Sequence, residues 1–322
     1  MLLPSPIRPF RIAFLAAFVA AFANAAPATA TDRFTVLLDW FVNPDHGPLF
    51  VAQERGYFRE AGLDVELIAP SDPNDPPRLV AAKRGDVAIS YQPQLHIQTS
   101  KGLPLVRIGT LVATPLNSLV VLRDGPVKRI ADLKGRKVGY SVGGFETALL
   151  KAMLGKHGLA IEDITLVNVN FDLSSSLMAG KVSAVIGAYR NFELNQMDIE
   201  KRPGTAFFVE EEGVPPYDEL IYVVHKDRIS DPKIRKFINA VERGVQYLVN
   251  YPQRSWALFV KGREKELDSE LFRRAWRDTL PRFALRPAAL DTARYANFAA
   301  FLKAQGVIAN MRPVAEYARE LK

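Results

Sequence analysis

Short apolar runs alternating with amphipathic segments predict an α/β fold for this chain, and two further observations divide it into two lobes joined by a two-crossing hinge. A series of strand and helix signals at 34–122 is followed by a similar series at 133–193. Residues 231–322 then carry helical patterns without a further strand series, so they need an existing sheet to pack against. Returning them to the first lobe makes that lobe discontinuous and makes the hinge a double crossing, near 122–127 and 216–224.

The first series opens with an apolar strand at 34–38, a loop of aromatic and polar residues at 39–48, a helix ending near Gly56 and a strand at 63–68. An Asp, a Trp, an Asn and a second Asp gather where a buried strand hands over to a helix. Open α/β sheets bind ligands outside their strand carboxyl ends, which makes this loop a ligand-facing edge. The turn-rich segment Ser71-Asp72-Pro73-Asn74-Asp75-Pro76-Pro77 starts a helix at 77–84, followed by a strand at 87–90 and a helix to about Lys101. Strands at 105–112 and 118–122 complete the series.

The second series has a strand at 137–140, a loop at 141–145, a helix at 146–157, a strand at 164–168 and a helix at 173–179. The segment LVAAKRGDVAISYQPQ at 79–94 has a counterpart in LMAGKVSAVIGAYRNFE at 177–193. Each runs from a helix end through a Lys and a Gly to an apolar strand, then to a loop with aromatic and amide side chains. A strand at 219–225 ends this series, and helices follow at 232–251, 253–261, 269–279 and 288–305. The expected divisions are a signal peptide at 1–30, the first part of lobe one at 31–123, lobe two at 124–220, and the return strand with the C-terminal helices at 221–322.

With 48% hydrophobic and 24% charged residues the chain can bury a large core. Its formal charge of +7 is scattered, without a Lys/Arg block dense enough for a nucleic-acid arm, so no nucleic-acid partner is expected. The N-terminus has the three parts of a secretory signal: Arg8 and Arg11, an apolar run at 12–23 too short to span a bilayer, and the exits Ala23-Asn24-Ala25 and Ala28-Thr29-Ala30. The chain contains no cysteine, which excludes disulfides, a thiolate nucleophile and a lipid-bearing cysteine after the apolar run. A free, exported, periplasmic protein is expected.

The stretch LLDWFVNPDHGPLFVAQERGYFREAGLDVELI at 37–68, with APSDPNDPPRLVAAKRGDVAISYQPQ at 69–94 and GYSVGGFE at 139–146, resembles the periplasmic solute-binding proteins of ABC importers. Its Asp-Trp-x-x-Asn-x-Asp-His core is similar to the branch that binds thiamine pyrimidine precursors, and the resemblance spans roughly 34–226. It implies a type II periplasmic-binding-protein fold that closes over N-formyl-4-amino-5-aminomethyl-2-methylpyrimidine or hydroxymethylpyrimidine. The partners it implies are an inner-membrane ABC permease with its ATPase, and the chain itself acts as a monomer without a cofactor or metal.

An aminopyrimidine is flat, with an exocyclic amine beside ring-nitrogen acceptors, so its pocket needs aromatic faces and, in the ring plane, a carboxylate and an amide. With that ligand in view, Trp40 is the expected stacking residue, and Tyr91 and Tyr189 supply the opposite face or hydroxyl contacts. Glu193 accepts from the amine and pairs with a protonated ring nitrogen. Asn43 either meets the ligand or caps the helix that follows it. Phe145 is divided between packing and the ligand, while Gly143 and Gly144 leave amides open for a formyl or phosphate oxygen. Asp39, Asp45 and His46 are expected to be scaffolding.

Within the same binding class, riboflavin or a sulfonate is the alternative ligand. From another class comes a pyridoxal-phosphate-dependent pyrimidine synthase, whose chemistry resembles one built on a Lys and a nearby His after the third strand plus a Cys-rich segment. Here that stretch is Ser90-Tyr91-Gln92-Pro93-Gln94, without Lys. The histidines, His46, His96, His157 and His225, are dispersed without metal-ligand spacing, and no enzyme activity is expected.

Overall fold

The computed structural model describes residues 1–2 and 31–321; the expected signal peptide lies outside the described residues apart from its first two positions. The chain from Thr31 onward forms one compact unit built on two five-stranded sheets.

The first sheet has the order β2-β1-β3-β10-β4, with β1 at Asp32–Leu37, β2 at Leu63–Ile68, β3 at Val87–Ser90, β4 at Leu105–Val112 and β10 at Leu220–His225. The second has the order β7-β6-β8-β5-β9, with β5 at Asn117–Leu122, β6 at Lys137–Tyr140, β7 at Thr165–Asn168, β8 at Ala184–Tyr189 and β9 at Gly204–Phe208. In each sheet three strands run parallel, and the fourth is an antiparallel strand that enters directly after a crossing between the sheets. β10 fills that slot in the first sheet and β5 fills it in the second, so each sheet is completed by a strand arriving from the other.

The position of β5 corrects the expected first crossing. The strand at 118–122 was expected to belong to the first lobe, with the boundary at 123. Instead β5 pairs with β8 and β9, and the chain changes sheets between β4 and Asn117. An apolar run such as NSLVVL satisfies either sheet, and only its nonlocal partners decide. The second crossing lies just before β10. Strand β9 was not anticipated; it is a short edge strand, mostly half-buried, with little apolar periodicity to mark it.

The helical C-terminal region packs on the first sheet. Helix Pro232–Asn250 starts with Pro232 and an Asp231 cap that accepts from the Lys233 amide at 2.9 Å. Ile234, Phe237, Ile238, Val241, Val245 and Leu248 form its buried stripe, three and four residues apart. Phe237 stacks on Phe34 of β1 and on Phe58, at centroid distances of 5.3 and 5.6 Å. Gly244 permits the close approach of helix Gly47–Glu54, because a Cβ there would lie 2.5 Å from the Pro48 carbonyl. That approach fixes the helix that follows the Trp40 loop.

Candidate functional site

The cleft between the two sheets forms a pocket shared by both lobes. It is walled from the first lobe by Asp39, Trp40, Asn43, Asp45 and Tyr91, and from the second by Glu146, Leu173, Gly187, Tyr189, Phe192 and Glu193. These residues stand at or after the carboxyl ends of the parallel strands β1, β3, β6, β7 and β8, where the sequence places a ligand edge.

The loop after β1 is braced from within. Asn43 Oδ1 accepts from the Asp45 amide at 2.8 Å, Asn43 N donates to His46 Nδ1 at 3.3 Å, and Asn43 Nδ2 donates to the Phe41 carbonyl at 3.1 Å. Asn43 therefore lines the cavity while its amide serves the cap. His46 Nε2 lies 2.9 Å from Asp39 Oδ1, and the Tyr91 hydroxyl donates to Asp39 Oδ2 at 3.0 Å. Asp39 is thus scaffolding and cavity wall together. Its bracing leaves Trp40 half-buried at the cleft, with its ring edge-on to Phe171 of the second lobe at 4.6 Å.

Several contacts hold the two lobes together around the cavity. Asn191 Nδ2 reaches Asp45 Oδ1 at 2.7 Å, and Thr279 Oγ1 donates to the same oxygen at 2.9 Å. The Gly143 amide donates to Asn74 Oδ1 at 2.9 Å, and Tyr91 stacks on Phe145 at 4.6 Å. The cleft is closed.

Four carboxyl groups face this cavity or its lower wall with their acidity weakened by burial. Glu146 is pushed up to about 8, against the Ser141 and Val142 amides that favour its ionised form. Glu193 is pushed up to about 7, and its Oε2 accepts from the Tyr189 amide at 2.7 Å. Glu219 rises to about 7, and Asp45 to about 6. Glu219 sits behind the wall, where the Tyr189 hydroxyl points to its Oε1 at 3.4 Å.

Of the residues singled out in the sequence, the structure brings Trp40, Asn43, Tyr91, Tyr189 and Glu193 to one cavity. It does not bring Gly143, Gly144 and Phe145 there. Two amides of the glycine turn already have acceptors: Gly143 has Asn74, and Ser141 donates to Glu146 Oε2 at 2.8 Å. Phe145 is fully buried under Tyr91, so it positions the tyrosine from below. The site set drawn from the sequence omitted Glu146 and Gly187, which meet across the second lobe. A Cβ at Gly187 would lie 2.5 to 2.8 Å from the Glu146 carboxyl, in a backbone region of φ +102° that already favours glycine. Their contact joins β8 to the start of helix Phe145–Lys156, and no local sequence signal marks it. Among the described residues no cluster of His, Cys, Asp and Glu is arranged to hold a metal ion.

A family profile described as NMT1/THI5 like matches residues 43–255. A Haemophilus influenzae protein bearing a provisional thiamine-biosynthesis name is 50% identical over 296 residues, covering 92% of this chain and 94% of its own. The formylaminopyrimidine-binding protein of Halalkalibacterium halodurans is 35% identical over 231 residues, covering 71% of this chain and 70% of its own. A Saccharomyces cerevisiae protein named 4-amino-5-hydroxymethyl-2-methylpyrimidine phosphate synthase is 25% identical over 252 residues, covering 72% and 71%. Among solved structures, a Candida albicans gene product described as having the generic periplasmic binding protein fold aligns with a TM-score of 0.69 at 18% identity, covering 90% of this chain and 97% of its own. The architecture is that fold.

Proposed function

The chain belongs to the NMT1/THI5-like family, and from that premise we propose that it is the periplasmic substrate-binding component of an ABC importer for a thiamine pyrimidine precursor. The ligand is N-formyl-4-amino-5-aminomethyl-2-methylpyrimidine or hydroxymethylpyrimidine. The observation that carries this reading is the composition of the closed cleft: Trp40 from one lobe, Tyr189 and Glu193 from the other, around one pocket. A planar ring stacks on Trp40, and its amine donates to Glu193. With Oε2 of Glu193 engaged by the Tyr189 amide, Oε1 is the acceptor left for the ligand.

The lining supports an aminopyrimidine over a sulfonate. Asp39, Asp45, Glu146 and Glu193 face the cavity, and no Lys or Arg does so among the described residues. An anion would meet carboxyl groups without a compensating cation. A binding role is likewise favoured over the synthase named in the yeast relative. The loop after β3 carries no Lys for a Schiff base, and two amides of the glycine turn, those of Gly143 and Ser141, already donate to Asn74 and Glu146. Ligand binding to both lobes shifts the open and closed populations by its differential affinity, and a permease and its ATPase can read the closed state.

Thermal-shift measurements on the mature chain with both pyrimidines, riboflavin and an alkanesulfonate test this. A hundredfold excess over Kd stabilises by about 2.7 kcal/mol. Stabilisation by the pyrimidines alone is expected. A shift with riboflavin or the sulfonate and none with the pyrimidines would overturn the reading.

A further inference from the structure

The cavity contains more acid than an amine acceptor requires. Glu193 suffices for the exocyclic amine, yet Glu146 also lines the cavity, from the first turn of helix Phe145–Lys156, with its residue only 3% exposed. Its Oε2 is anchored by the Ser141 amide at 2.8 Å. Gly187 makes room for the carboxyl, since any side chain there would collide with it. The titratable groups that bear on it from the surrounding elements are Tyr91, Glu193 and Glu219, none of them a cation. Arg190 favours the ionised form of Glu219, but among these groups no cation bears on Glu146, so away from water and beside two other carboxyl groups Glu146 is the one that keeps its proton.

Resting on the aminopyrimidine reading above, we propose that Glu146 determines ligand specificity: anchored through Oε2, it enters the cleft as a neutral carboxylic acid and donates its O–H to an unprotonated ring nitrogen of the heterocycle. Glu193 then accepts from the amine while Glu146 donates to the ring. The pair selects a molecule carrying both groups, and rejects an aromatic amine that lacks the ring acceptor. A site built to hydrogen-bond one group discriminates strongly against an analogue without it, because the buried partner is left unmatched. Burial holds the Glu146 proton up to about 8, in keeping with a donor at neutral pH. The proton remains on Glu146 throughout, and no bond is made or broken.

Calorimetric titration of the full mature protein, with Glu146→Gln and Glu146→Ala, tests this between pH 6 and 9. The probes are 4-amino-5-hydroxymethyl-2-methylpyrimidine and its aniline isostere, in which CH replaces both ring nitrogens. Wild-type affinity for the pyrimidine is expected to fall as pH rises past about 8. Glu146→Gln, whose amide donates but cannot ionise, keeps neutral-pH affinity within about threefold and removes that alkaline fall. Glu146→Ala loses about tenfold on the pyrimidine and nothing on the isostere. Thermal midpoints establish that each variant is folded.

An alkaline fall that persists in Glu146→Gln would overturn the proposal, as would equal weakening of both probes in Glu146→Ala, the mark of a structural role. A wild type that binds the pyrimidine with a flat pH profile overturns the role of Glu146 and leaves the proposed function standing. A wild type that binds no aminopyrimidine overturns both.

Discussion

Asn191 Nδ2 stands 2.7 Å from Asp45 Oδ1, a buried hydrogen bond from the loop after β8 in one lobe to the loop after β1 in the other. Thr279 lies within 2.7 Å of Asn191 Nδ2 and donates to Asp45 from the other side, so three distant segments meet at one oxygen. Only a closed cleft can make this contact. Removing the Asn191 amide in Asn191→Ala therefore weakens closure. A buried hydrogen bond to an ionisable group contributes about 1.5–3 kcal/mol, which corresponds to about a tenfold to hundredfold loss in affinity if it is lost only from the closed state. Calorimetry gives the affinity, and small-angle scattering with and without ligand gives the closure. Unchanged affinity together with unchanged closure would remove Asn191 from the latch.

Trp40→Ala tests the stacking face. The ring is half-buried at the cleft, edge-on to Phe171 and against the edge of the second lobe's core, so the variant loses some packing but is expected to fold. Stacking of a base on an aromatic side chain is worth about 1–3 kcal/mol, which sets an expected loss of about fivefold to 150-fold in ligand affinity. The thermal midpoint without ligand should move little. Wild-type affinity in this variant would take Trp40 out of the site.

Much of this arrangement was legible in the sequence, for local reasons. β2, β3, β4 and β6 are apolar runs bounded by turn residues, and they lie at the expected positions. Trp40 and Tyr91 follow β1 and β3, Tyr189 ends β8 and Glu193 follows it, and strand ends are where such a fold forms its cleft. What escaped the sequence was settled by partners far along the chain. β5 pairs with β8 and β9 rather than with its predecessor. The Gly143 amide meets Asn74, 69 residues upstream, so a turn that looks open in sequence is closed in space. Glu146 and Gly187 are adjacent only because β8 runs beside the helix that Glu146 begins.

The raised carboxyl groups fix how stability without ligand depends on pH. Glu146 at about 8, Glu193 and Glu219 at about 7 and Asp45 at about 6 all lie above their ordinary values of 4.5 for Glu and 3.8 for Asp. Between the ordinary and raised values the folded chain binds protons that the unfolded chain has released, so stability falls as pH rises through this window. Their contribution is complete below the ordinary carboxylate range and is lost by about pH 8. Asp72, Asp132 and Asp231 are held below 3.8 chiefly through hydrogen bonds and ion pairs, and they oppose acidification at lower pH. Urea midpoints for the ligand-free protein should therefore be higher at about pH 5.5 than at about pH 8.5. A rise over that interval would contradict the protonated cleft.

Glu219 ties the two hinge crossings to each other. Its carboxyl, at the start of β10, accepts through Oε2 from the amides of Leu116 and Asn117 at 2.6 and 2.9 Å, at the start of β5. The Tyr217 hydroxyl donates to the same oxygen at 3.0 Å, and Tyr189 of the cavity wall reaches the other oxygen at 3.4 Å. Because β5 and β10 enter their sheets in equivalent slots, this one side chain closes the hinge at the point where both crossings pass. Glu219→Ala leaves two buried amides and a buried hydroxyl without an acceptor, each costing about 1–3 kcal/mol, so a loss of at least about 3 kcal/mol is expected in denaturant unfolding. Glu219→Gln retains a carbonyl oxygen for the two amides and should lose far less. If both variants unfold at the wild-type midpoint, the hinge is held by other contacts; if the alanine variant alone falls, the acceptor at this position holds the crossings together.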